Sequence, residues 1–146
     1  MIYLLNKHLL DILSMYLLLC GFTYEDKSTN TYNIPENSGF KCFMSYKAIT
    51  SHQSEQYELQ TKCYTDENGI RKYDERYCVA VGTFCQAGIG QKIDIVLENG
   101  ITIKCIVGDI KADKDTDSTN TFTQNGCCSE FIVDTKCLDK GVKYTG

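Results

Sequence analysis

The stretch "KIDIVLENGITIKCIVGD", residues 92–109, limits the fold more than any other part of the chain. Ile93, Ile95 and Leu97 alternate with Asp94 and Val96, and Ile101, Ile103, Cys105 and Val107 return on one face. Period-two patterning of this kind belongs to strands. Asn99-Gly100 between the two runs is a strong hairpin signal, because both residues tolerate positive φ. A second Asn-Gly pair, Asn68-Gly69, sits inside "YTDENGIRKYDERYCVAVG" and predicts another hairpin. "RYCVAVGTF" then predicts a buried strand ending at Gly82.

The rest of the body follows the same habit. "FKCFMSY" (40–46) and "SEFIVD" (129–134) are short strand-like runs between turn signals. "AITSHQSEQYELQTKC" (48–63) predicts a turn at Thr50 and Ser51 and then a short helix. Ser51 or Ser54 would cap it, with Glu55 or Glu58 in the first turn. "TKCLDKGVKYTG" predicts a short helical turn, with Thr135 as cap and Gly141 as stop. Past Gly39 no long stretch has helical period. Several short strands with tight turns predict a mainly β fold, a small six-stranded barrel in preference to a sandwich.

With 146 residues the chain has room for one domain and a modest core. Residues 1–22, "MIYLLNKHLLDILSMYLLLCGF", are its most apolar part. The uncharged run from Ile12 to Phe22 is too short to span a bilayer. Two readings stand for it: an imperfect export signal or weak membrane anchor, and an amphipathic N-terminal helix carrying Leu5, Leu9, Ile12 and Tyr16 on one side. Residues 23–39 are polar and turn-rich and predict a linker, which leaves 40–146 as the β domain.

Charge and cysteine bound the function. A net charge of −4, with 15 basic residues spread along the chain, argues against nonspecific nucleic-acid binding. The one basic cluster, Arg71, Lys72 and Arg76, reads as a solvated face. Nine cysteines include no C-x-x-C pair, and only His8 and His52 could join them, so no metal site of the usual spacing is expected. Cys78 and Cys105 fall at strand positions that suit a small buried hydrophobe. Reduced core thiols and a partial disulfide set both fit. Cys127-Cys128 beside Glu130 reads as a structural pair or a disulfide end rather than as a thiol nucleophile.

The order of elements from Gly82 to Asp134 carries a resemblance. A glycine-containing bend and strand, "GIGQKIDIVLENG", leads to a strand ending in Asp109; a polar loop follows, and then "EFIVD". This order resembles the double-psi β-barrel of cell-wall proteins: the three-aspartate domain of lytic transglycosylases, the rare lipoprotein A family and the expansin group. "SGFKCFMSYKAITS", "YCVAVGTF", "IVGDIKADKDTDSTN" and "EFIVDT" also look like uncharacterised proteins of Firmicutes prophages and mobile elements. The family's D-x-G-G is "DIKA" here, a departure that alters the loop's backbone freedom.

The resemblance implies a secreted or envelope protein that binds or cleaves peptidoglycan or another polysaccharide and uses no cofactor. A glycan lyase needs one carboxyl of raised pKa, which acts as acid and then base. Asp109 takes that role under the resemblance, with Asp134 or Glu130 assisting. Tyr46, Thr50, Lys111 and Asp117 are the candidate substrate-binding residues. The ordinary reading stands beside this one: strand-end acids commonly cap turns, and Asp113, Asp115 and Asp117 then form a surface loop. D-x-D-x-D at 113–117 copies the first ligands of a calcium loop, but Ser118 and Gln124 stand where Gly and Glu are needed. A noncatalytic binding module on the same barrel is the rival from another class. A small cytoplasmic protein with reduced cysteines is a third reading.

Overall fold

The structure, a computed structural model, describes residues 30–33 and 42–141. The expected N-terminal helix at 1–22, most of the linker and the last residues of the C-terminal turn lie outside the described residues. The chain divides after Tyr32, and every element named below belongs to the second unit, residues 33–146.

That unit is mainly strand. In chain order it contains β1 (Phe43–Ser45), α1 (Glu55–Lys62), β2 (Tyr64–Thr65), β3 (Arg71–Tyr73), β4 (Arg76–Val81), β5 (Lys92–Val96), β6 (Thr102–Ile110) and β7 (Ser129–Val133). Single 3-10 turns occupy Tyr46–Ala48, Thr83–Cys85 and Asp113–Asp115. The strands form one seven-stranded sheet.

Local chemistry explains most of these elements. Ser54 caps α1 by accepting from the Tyr57 N–H at 3.2 Å, and Glu55 and Glu58 fill its first turn, where the helix dipole favours negative charge. Both Asn-Gly pairs turn hairpins, with Gly69 at φ +86° and Gly100 at φ +83°, in the left-handed region. β2 pairs antiparallel with β3, and β5 pairs antiparallel with β6 in the register Ile93↔Cys105 and Ile95↔Ile103. A third tight turn, Asp74-Glu75, joins β3 to β4 with both residues at positive φ. Nothing in those two residue types announces it.

β4 is the organising strand. One edge carries β6 in parallel; the other carries β3 near Tyr77 and β7 from Val79 to Val81. β1 adds in parallel to the outer edge of β7. The sheet has seven strands and does not close among the described residues, where β1, β2 and β5 each pair along one edge only, so the expected six-stranded barrel is not shown there.

The sheet has two apolar faces. On one, Val79, Val81, Cys105 and Val107 pack with Ile93, Ile95, Ile103 and Phe131. On the other, Cys78, Ile106 and Ile132 pack with Met44, Tyr46, Ile49 and Cys63. α1 lies over this second face, which is how Gln60 comes to face Gly108 and Cys78. A disulfide joins Cys42, just before β1, to Cys127, just before β7. The basic cluster is not a solvated face. The Arg71 guanidinium donates to the carbonyls of Gln60 (2.6 Å) and Cys63 (3.0 Å) and lies 4.7 Å above the Tyr46 ring. Arg76 ties β4 to the carbonyls of Ile93 and Cys105 and to Asp94.

Candidate functional site

The site begins with one irregularity in β6. Val79 pairs with Val107, but the next residue, Ala80, pairs with Asp109, so Gly108 is an extra residue in the ladder. Strict alternation would put Asp109 on the face of Cys105 and Val107. The bulge turns it to the opposite face instead. Glycine suits the bulge: a Cβ at Gly108 would come within 2.6 Å of Ile132 Cδ1 and 3.2 Å of Gln60 Nε2, so these side chains would have to shift.

The far edge of β4 completes the arrangement. Ala80 pairs with Glu130 of β7 as well as with Asp109 of β6. Paired residues point to the same side, so the two acids flank a single alanine on the face that α1 covers. Their backbones stand roughly 9–10 Å apart, two strand spacings. The small Ala80 side chain leaves the space between them open to both carboxyls.

The two acids have different surroundings. Glu130 is 5% exposed, and its carboxylate pairs with the Lys111 ammonium. Lys111 also reaches Met44 Sδ at 3.5 Å. Asp109 is half-buried. Loss of water pushes its carboxyl above the usual aspartate range, and the Glu130 charge adds to this; the Ile110 N–H, the Lys111 ammonium and the Gln56 side chain pull the other way. The outcome is one carboxyl biased toward its protonated form beside a buried ion pair.

A cavity of about 320 Å³ is lined by Tyr46, Thr50, His52, Tyr57 and Gln60 among others. The rings of His52 and Tyr57 lie 4.2 Å apart on its wall. α1 is common to both features. Gln56 meets Asp109, while Tyr57 and Gln60 face the cavity, about one helical turn away.

Of the candidate residues, the structure brings Asp109, Glu130 and Lys111 together, and brings Tyr46 and Thr50 together in the cavity. It does not bring Asp134 or Asp117 to either place. Asp134 lies just past the end of β7, about 13 Å along the strand from Glu130. There its N–H donates to the Gly69 carbonyl and its carboxylate accepts from the Lys136 N–H. It caps the C-terminal turn, the place the sequence reading gave to Thr135. Asp117 holds the polar loop, accepting from the N–H groups of Thr121 and Phe122 at 2.9 Å each and from the Thr119 hydroxyl. These bonds, Thr119 first, draw its pKa down to about 2. Asp113 accepts from the Thr83 hydroxyl at 2.7 Å.

Sequence reasoning missed Gln56, Gln60 and Ala80. One signal could have found the glutamines. α1 reads "EQYELQTK" and has a single aliphatic residue, Leu59, so its sheet-facing side has to include polar groups, and Gln56 and Gln60 stand four apart. No protein-family model, curated protein or solved structure matches the chain.

Proposed function

We propose that this is a cell-envelope protein that engages peptidoglycan glycan, with Asp109 as general acid and then general base in a glycan-lyase reaction. The observation that carries the reading is the half-buried Asp109 carboxyl, raised in pKa and set across Ala80 from the Glu130–Lys111 pair. A carboxyl of raised pKa can give its proton to a glycosidic leaving oxygen and then take one from a sugar hydroxyl. Burial first, and the Glu130 charge after it, favour the protonated form of Asp109. The Lys111 ammonium pairs with the Glu130 carboxylate beside it. Tyr46, Tyr57 and Thr50 supply a ring-and-hydroxyl surface for one sugar of the chain. The Cys42–Cys127 disulfide favours an oxidising location. Assignment of the sheet to a double-psi-type barrel and attachment to the membrane through residues 1–22 belong to the same proposal. Among the described residues no helix is long and apolar enough to cross a membrane.

A second reading has its own support. The cavity does not include Asp109 in its lining, which favours a noncatalytic glycan-binding module. Incubation of the purified protein with peptidoglycan separates the two. The lyase reading expects anhydro-sugar products, and a fall of about 10²–10⁴-fold in their rate for Asp109→Asn. Absence of products from folded protein, or unchanged turnover in Asp109→Asn, overturns it. Wall pull-down that Asp109→Asn leaves intact and Tyr57→Ala weakens would then establish the module.

A further inference from the structure

The second face of the sheet holds another group of reactive side chains, apart from the acids. Cys63 is the residue that ends α1, and Cys78 lies in the middle of β4. Their sulfurs are 3.3 Å apart, within hydrogen-bonding distance. Cys63 also lies 3.2 Å from the Leu59 carbonyl. The two thiols differ in access: Cys78 is fully buried, whereas Cys63 is half-buried.

Two further groups converge on the pair. Arg71 fixes its positive charge at the helix end by donating to the Gln60 and Cys63 carbonyls, to Gln60 Oε1 at 3.2 Å and to the Thr65 hydroxyl at 2.9 Å. Gln60 is 5% exposed, and its Nε2 is buried with no hydrogen-bond partner of its own. That amide faces the Cys78 sulfur. A buried orphan donor is costly unless something nearby gains acceptor strength. A sulfur carrying negative charge is such an acceptor.

We propose that Cys63 and Cys78 form a redox-active dithiol that exchanges with low-molecular-weight disulfides, Cys63 being the attacking sulfur and Cys78 the resolving one. The Cys63 thiolate attacks one sulfur of the small disulfide, whose S–S bond breaks and expels a thiolate. A mixed disulfide remains on Cys63. Cys78 gives its proton to the expelled thiolate and attacks Cys63 Sγ, releasing the second small thiolate, which takes a proton from solvent. One small disulfide is reduced to two thiols, and two protein thiols are oxidised to one bridge.

The division of roles follows from the surroundings. The Cys78 hydrogen bond and the Arg71 charge hold the Cys63 thiol below its ordinary range, while the same bond and burial push Cys78 far up. Among the described residues, burial pushes Cys105 up to about 12 and raises Cys128. Cys137 is exposed and would react as a bystander.

The test uses the full chain carrying Cys137→Ser, treated with oxidised glutathione, acid-quenched and mapped by mass spectrometry. The expected result is a bridge between Cys63 and Cys78. In Cys78→Ser a glutathione adduct should accumulate on Cys63; in Cys63→Ser the native protein should modify Cys78 at least about tenfold more slowly. Adducts that favour Cys78, or neither bridge nor adduct in the wild-type sequence, overturn the proposal. If the purified chain already holds the bridge, reduced glutathione should open it under native conditions, and a bridge that resists opening also overturns the proposal. Mapping of the wild-type sequence decides the matter should either variant fail to fold.

Discussion

The two faces of β4 are made from one six-residue strand and could hardly differ more. Val79 and Val81 point into a layer of aliphatic side chains from β5, β6 and β7. Cys78 and Ala80 point the other way, toward Gln60, Asp109, Glu130 and the Cys63 thiol. The first face is a packed hydrophobic layer, and its contribution is removal of apolar surface from water. The second is only partly apolar. It holds a buried ion pair, an unpartnered amide and a carboxyl of raised pKa, all of which cost stability unless compensated. Reactive groups are gathered on one face, and the other face supplies the stability that lets them stay there.

Several substitutions break or sharpen this contrast. The largest effect should come from Glu130→Gln, which leaves the Lys111 ammonium half-buried without its partner. We expect a loss of about 3 kcal/mol in denaturant unfolding, the low end for a broken buried pair because Lys111 keeps some exposure. The double variant with Lys111→Met should recover most of it. On the aliphatic face, Val79→Ala should cost about 2–3 kcal/mol through lost burial and a residual cavity, with no change at the acids. Gly108→Ala should cost about 1–3 kcal/mol, because its Cβ meets Ile132 and Gln60. It should also displace Asp109 and lower any glycan turnover, which Val79→Ala should not.

The smallest effect has the opposite sign. The folded-state pKa of Asp109 lies above its unfolded value, so between those two values the folded protein holds the extra proton. Stability therefore falls as pH rises through that window and stays lower above it. Asp109→Asn should abolish this slope and be slightly more stable than the parent at neutral pH. Equal stability curves across the acid range would remove the buried-carboxyl account.

The aliphatic face was legible in the sequence pattern, and the reactive face only through the resemblance that set Asp109 with Asp134 or Glu130. Alternation at Ile93, Ile95, Ile103, Cys105 and Val107 predicts the shared face found in the sheet, and Asn68-Gly69 and Asn99-Gly100 mark their hairpins. Ser54 caps α1 as its pattern suggests. The same alternation rule fails two residues later, because a bulge at Gly108 changes the side on which every following residue points. Asp109 shares a face with Glu130 only because of it. Asp134 shares the period of Glu130, but the strand ends at Val133, and backbone capping claims the Asp134 carboxylate. Arg71 looks like a surface charge beside Lys72 and Arg76. What buries it is the docking of α1 on the sheet, a tertiary event no local pattern encodes.

The account rests on the carboxyl of Asp109 sharing a face with Glu130 and being partly withdrawn from water. A carbon-13 NMR titration of the Asp109 side chain in the wild-type protein tests this most directly. We predict a midpoint above that of an ordinary aspartate, with the Glu130 carboxyl resonance perturbed over the same pH range. A midpoint at or below the ordinary value, with no response at Glu130, would contradict it.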